Sequence, residues 1–190
     1  MAKNITKKGQ ANRERIIECA AELFLKNGYQ ATGINDILDI VGIAKGSFYS
    51  YFKSKKELAL LVSEFFGNKF LKKWLNKIAE GKNWTDFVNQ MTDDLRYNAK
   101  NHILHGCPIG ILGVENTNTD PDISQVFIQA IQSFQNIFYE VLSNTGIETE
   151  KARNLSKKAF ILYEGHLLLY RITGQISDIS DLKADLLALL

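Results

Sequence analysis

The sequence predicts an all-α chain in which a short three-helix head precedes a larger helical body. Three observations carry this. Only two prolines occur in 190 residues, so little breaks helical periodicity. Apolar residues recur at helical spacing along most of the chain, and no stretch alternates convincingly as a strand. Charge is also divided: residues 1–56 carry ten Lys/Arg against five Asp/Glu, and residues 57–190 carry thirteen against sixteen. A basic head on a mildly acidic body suggests that the head meets a polyanion. Charge alone leaves DNA, RNA and an anionic membrane surface open.

From about Asn12 to Lys26, Ile16, Ala20, Leu23 and Phe24 form one amphipathic stripe, and Gly28 follows as a C-cap. A short helix runs from about Ile34 to Val41 and closes at Gly42. Another covers roughly Lys45 to Tyr51. Ser54 then reads as an N-cap with Glu57 completing a capping box, opening one long helix that runs to Gly81. Trp84 to about Asn101 is helical, with Phe87, Met91 and Leu95 at steps of four. The run HGCPIGILGVENTNTDPD reads as a connector with room for a short helix in its middle. Two long helices follow, about 122–144 and 149–173, separated by Gly146, with Gly174 stopping the second. A short amphipathic helix ends the chain. The softest boundary falls at a helix start, giving expected domains of residues 1–53 and 54–190.

With 45% hydrophobic residues the chain has material for a sizeable core. No apolar run approaches the length of a membrane span. The basic N-terminal stretch is followed by polar residues rather than an apolar run, which leads us to expect no signal peptide and a cytoplasmic location. Cys19 and Cys107 make no disulfide framework, in keeping with a reducing compartment. No phosphate loop, nucleophile elbow, HExxH or paired cysteines with metal spacing occurs, so an enzyme is not expected, nor a cofactor.

The densest signal is KGSFYSYFKSK, residues 45–55, with four aromatics, three lysines and no acid. Two short helices around Gly42 suggest a helix-turn-helix, whose second helix enters a major groove. Phe48 and Phe52 share a face and can anchor the helix on Ile37, Val41 and the first helix. Tyr49 and Tyr51 fall off that face, with hydroxyls free for phosphates. Gly46 lets backbone approach DNA. Lys55 sits in the first turn of a helix, where N–H groups favour a phosphate. A core helix with a solvated lysine face would look similar, but the preceding helix and the basic head favour the reader.

IIECAAELFLKNGYQATGINDILDIVGIAKGSFYSYFKSKKEL resembles the DNA-binding domain of the TetR family of bacterial transcriptional repressors. Within it, GIAKGSFYSYFKSKKEL resembles the signature around the recognition helix. The resemblance implies contacts to double-stranded operator DNA from Lys45, Gly46, Ser47 and Tyr49 at the groove, Tyr51 and Lys55 at phosphates, and Thr32 in the turn. Gly33 and Ala44 depart from the family pattern, standing where many members place Ser or Thr. The resemblance further implies a homodimer and a small-molecule effector that alters the separation of two heads. It makes the two long helices the dimer-forming pair, with Phe127, Ile131, Phe134 and Phe138 on the seam. The competing reading puts that stripe in the chain's own core.

Phe66, Phe70, Trp74, Tyr97, Phe127, Tyr163, His166 and Tyr170 are candidates to line an effector cavity, which would then be apolar and aromatic. HILHGCPIG admits three readings. Cys107 is a buried small hydrophobe beside exposed histidines; or it is a sensor thiol, as in TetR relatives that this run resembles; or His102, His105 and Cys107, with His166, bind a metal. The expected function is therefore a homodimeric, effector-released transcriptional regulator. The alternatives are a thiol-based sensor repressor acting through Cys107 and a DNA-binding structural protein without an effector.

Overall fold

A computed structural model describes residues 7–67, 72–116 and 121–190. Every regular element among them is helical: α1 Lys7–Asn27, α2 Ile34–Val41, α3 Lys45–Tyr51, α4 Lys55–Glu64, α5 Lys72–Ala79, α6 Trp84–Lys100, α7 Pro108–Asn116, α8 Pro121–Asn144, α9 Thr149–Thr173 and α10 Ser177–Leu187. No helix among the described residues is long and apolar enough to cross a membrane.

The first three helices form the head. Ile16, Ala20 and Phe24 of α1 meet Ile37, Leu38 and Val41 of α2, and Phe48 and Phe52 close the same core. Phe48 and Phe52 stack 5.2 Å apart, the shared face that their spacing predicts. Gly42 ends α2 in a left-handed conformation, its N–H returning 2.8 Å to the Leu38 carbonyl. Arg15 caps the same helix end, donating to the Val41 carbonyl at 2.9 Å. Gly33 offers no capping hydroxyl, yet Asp36 accepts its N–H at 2.6 Å. Ala44 caps α3 without a side-chain bond. Ser54 caps α4 as its sequence predicts, accepting the Glu57 N–H at 3.1 Å.

The expected helix from Ser54 to Gly81 is seen as two described stretches: α4, which widens into a π turn over 65–67, and α5 from Lys72, while residues 68–71 of that expectation lie outside the described residues. The Phe65 N–H is shared between the Leu61 and Val62 carbonyls. At this turn α8 comes close: a Cβ on Gly67 would stand 3.0 Å from the Ala130 side chain.

Helices α8 and α9 pack along their lengths, and α10 bridges α9 and α6. Trp84, Phe87, Phe138, Phe134 and Tyr163 form a continuous aromatic ladder through the body, with centroids 4.9 to 5.9 Å apart. The Trp84 indole donates to the Leu186 carbonyl at 2.8 Å, fixing the tail. The connector after α6 contains a genuine helix, α7, with Pro108 at its first position.

Candidate functional site

α3 is held by Phe48, so the residues on its opposite face turn outward. Lys45, Gly46 and Tyr49 are exposed and Ser47 is half-exposed. Open space surrounds Gly46, and a Cβ there would touch nothing. The outer face of α3 thus offers an ammonium, a phenol and a bare backbone. Lysine and tyrosine heads on a seven-residue helix can reach into a groove once α3 lies along it.

The other head candidates are placed differently. Thr32 is buried, and its hydroxyl donates inward to the Gly28 carbonyl at 2.8 Å, finishing α1 rather than facing outward. Tyr51 is half-buried beside Asn12, whose amide reaches its hydroxyl at 3.5 Å. The Lys55 ammonium donates to the Tyr29 carbonyl at 2.6 Å and lies 4.4 Å over the Tyr29 ring. Partial burial lowers the Lys55 pKa, with Glu115 and Asp36 opposing that shift.

The α1–α2 turn is also gripped from the body. Glu115 of α7 accepts the Tyr29 N–H at 2.7 Å and the Gln30 N–H at 3.4 Å. Arg171 of α9 donates to the Leu25 carbonyl at 2.8 Å and to the His105 carbonyl at 2.7 Å. Sequence reasoning missed both residues, because nothing local ties Glu115 to a turn 86 positions away.

Beside this grip, a cleft of about 380 Å³ separates head from body. One wall is α1, through Glu18, Ala21, Glu22 and Leu25. The opposite wall is aromatic and apolar: Phe65 and Phe66 at the π turn, Trp74, Leu95 and Tyr163. Asp94 fixes Trp74 by accepting its indole N–H at 2.8 Å, and Gln90 in turn donates to Asp94 at 2.8 Å. His102, in a left-handed conformation with φ 58°, and His105 form the floor. Burial and the neighbouring Arg171 and Lys26 lower the His105 pKa.

Of the cavity candidates, Phe66, Trp74 and Tyr163 meet at this cleft. Tyr97 is 66% exposed on the outer face of α6 and lines nothing enclosed. Phe127 is packed against Gly113 in the core. His166 hydrogen-bonds Asp185 at 2.8 Å, and Tyr170 sits on a separate surface recess with Lys26. Phe70 lies outside the described residues.

Two further expectations are corrected or constrained. Phe127, Phe134 and Phe138 are each at most 2% exposed, buried against their own chain rather than on a seam. The reason is geometric: α8 carries apolar residues on more than one face, and the face with the phenylalanines turns inward. Only Ile131 of that set reaches the edge, half-buried. The outward apolar residues are Ile128 on α8 and Ile161, Leu168, Leu169 and Ile172 on α9. Cys107 is buried, and its thiol pKa is pushed well up, first by burial and then by Glu164. That setting opposes the exposed thiolate a sensor cysteine requires. The described residues contain no cluster of three His, Cys, Asp or Glu side chains suited to a metal, so His102, His105, Cys107 and His166 do not form one.

Comparison with known proteins identifies the family and the fold. Residues 16–62 match the family described as bacterial regulatory proteins, tetR family. Residues 82–184 match the C-terminal domain described as transcriptional regulator LmrA/YxaF-like. An HTH-type transcriptional regulator in the lacX 3′ region of Lactococcus lactis subsp. lactis is 31% identical over 171 residues, spanning 87% of this chain and 86% of the relative. The HTH-type transcriptional regulator LmrA of Bacillus subtilis is 24% identical, covering 83% and 85%. Among solved structures, a TetR transcriptional regulator from Legionella pneumophila superposes with a TM-score of 0.83 at 22% identity, covering 94% of this chain and 96% of that one.

Proposed function

The chain belongs to the TetR family of bacterial transcriptional regulators, and on that premise we propose that it is a homodimeric repressor released from its operator by a hydrophobic, aromatic effector. The observation that carries this reading is the shared cleft. One wall is α1 of the head and the other is Phe66, Trp74 and Tyr163 of the body. A planar apolar molecule filling it separates surfaces that otherwise lean together. The head is then displaced relative to α7 and α9, where Glu115 and Arg171 hold it. Two heads on one dimer bind a duplex only at one spacing, so that displacement lowers operator affinity.

In this reading residues 1–53 read DNA and 54–190 bind effector and partner, and the chain has no catalytic role. Lys45, Gly46, Ser47 and Tyr49 meet the groove. Tyr51 and Lys55 flank it, Lys55 reaching a phosphate on release from Tyr29, and Thr32 supports the turn between α1 and α2. The seam is built from Ile128, Ile131, Ile161, Leu168 and Ile172, apolar residues outward on the two longest helices, which with their two-fold copies make a four-helix bundle. Such a protein works in the cytoplasm, beside its operator.

The test begins with selection of bound fragments from random duplex DNA. A near-palindromic site and a log–log salt slope of roughly −5, from about three phosphates per head, are expected. Planar hydrophobic compounds are then titrated against that complex, in the native chain and in Trp74→Ala. Release in the native chain and weaker release in the variant support the reading. Failure to enrich any sequence, or binding by a monomer, would sink it.

A further inference from the structure

A second cavity, of about 230 Å³, lies between α7 and α9, next to the cleft and sharing Gly106 with it. Its walls are mostly apolar, with Ile111, Val114 and Leu167 among them, but Glu164 stands inside them. The Glu164 Oε1 is shielded from solvent and has no hydrogen-bond partner. An unpaired buried polar atom is costly, so it calls for an explanation. The Cys107 thiol is hydrogen-bonded with the same carboxyl group and does not satisfy that oxygen. The carboxyl lies close against the α7 backbone: a Cβ on Gly110 would fall 2.6 Å from Oε2 and push the carboxyl aside. Two other charged residues share the wall, Glu115 and Arg171, and both already hold backbone groups of the head turn.

We propose that this cavity is a second ligand site, separate from the cleft, which takes a small primary amine with one aromatic or branched apolar group, its ammonium donating to the Glu164 carboxylate. The apolar walls receive the ring; Oε1 is closed to water in the empty cavity, so the Glu164 carboxyl turns about its soft terminal torsion to receive the N–H. A space of about 150 Å³ already holds benzene in an apolar protein core, so this one holds a ring and a short arm. An anion is disfavoured, because two carboxylates face it and the Arg171 Nη1 is engaged by two carbonyls. Val114, 80% exposed, stands at the mouth, and Leu168 places the site at the edge of the proposed seam.

The experiment is calorimetric titration of the full chain with benzylamine and with benzyl alcohol, its uncharged near-isostere. Benzylamine is expected to bind at least about tenfold more tightly, the size of one charge-assisted hydrogen bond. Glu164→Gln should erase the difference and leave alcohol binding unchanged. Gly110→Ala should weaken the amine at least as much by displacing the carboxylate, and it decides the matter if the Gln variant does not fold. Trp74→Ala, in the cleft and outside this cavity's lining, should leave benzylamine affinity as it is. Equal binding of the two compounds, no amine binding by folded protein, or loss in Trp74→Ala would each overturn the assignment. None of those results bears on operator binding, so the repressor reading stands or falls separately.

Discussion

The head and the body are both helical, but they hold their functional groups in opposite ways. The head's core is built from Ile16, Phe24, Ile37, Phe48 and Phe52, and its chemistry lies on the outside of a seven-residue helix. The body buries a ladder of five aromatics, and its candidate sites are the gaps beside that ladder. In the head, packing and chemistry divide one short helix by face. In the body, the residues that pack and those that could bind come from helices far apart in sequence. A surface reader is specified locally, whereas a gap exists only once several helices have met.

The largest test of this contrast removes one ring from each core. Phe134→Ala should cost about 3–5 kcal/mol and unfold body and head together, because α1 and α4 rest on the body. Phe48→Ala should cost a similar amount within the head alone, abolishing operator binding while the near-ultraviolet signal of the body persists. Thermal unfolding followed by circular dichroism and by DNA binding separates the two. One shared transition in both variants would show that head and body are a single cooperative unit.

A second, smaller effect concerns the outward face of the body. Ile161→Asp combined with Ile172→Asp should split the dimer, weakening association at least about a hundredfold, with the monomer still folded, since both side chains are solvent-facing in the protomer. Sedimentation velocity reads this directly. A dimer that survives would move the seam off α9.

These tests bear on what the sequence could reveal. α2 and α3 begin and end where capping and spacing place them, because each signal lies within four residues; within KGSFYSYF, Phe48 is buried and Tyr49 exposed as their spacing implies, while Tyr51 is half-buried beside Asn12. The long helix after Ser54 was legible only in part. Its π turn at 65–67 lies where α8 comes close to Gly67, an approach that no local pattern encodes. The same limit hid the two faces of α8. A stripe of Phe127, Phe134 and Phe138 is apolar whether it faces the chain's own core or a partner, and the neighbouring Ile128 decides only once α9 is in place. Glu115 and Arg171 were invisible as a pair, since each looks like an ordinary surface charge until the turn at Tyr29 folds back on them.

That pair gives the third test, where head and body meet. Glu115→Gln keeps the shape and removes the charge that holds the Tyr29 and Gln30 N–H groups. The loss should be about 1–2 kcal/mol in the head's attachment. Hydrogen exchange at residues 28–33 should quicken about tenfold, with body amides unaffected. Unchanged exchange would mean that Lys55, on the same turn's carbonyls, suffices alone.

The smallest expected effect lies inside the body, at Glu164. Burial raises its pKa above the ordinary carboxylate value of 4.5, and the Cys107 hydrogen bond only partly offsets this. The sign follows from linkage: the unfolded chain releases this proton at lower pH than the folded chain does. The favourable, protonated state is therefore fully present below about pH 4.5, and its stabilisation is lost as pH rises through the raised folded value. Above that point the fold carries an ionised carboxylate in an apolar wall. Glu164→Gln removes the charge while keeping a group that can both donate and accept. Its advantage over the native chain should be absent in acid and should grow with pH to a few degrees in Tm near neutrality, roughly 1 kcal/mol for a chain of this size. Melting curves of both proteins from pH 4 to pH 8 decide it. A constant offset across that range would mean that the change is one of packing and that Glu164 does not titrate differently in the fold. A loss of stability near neutrality would show that the carboxylate is satisfied by a group the isolated protomer lacks, such as a side chain of the second copy across the seam.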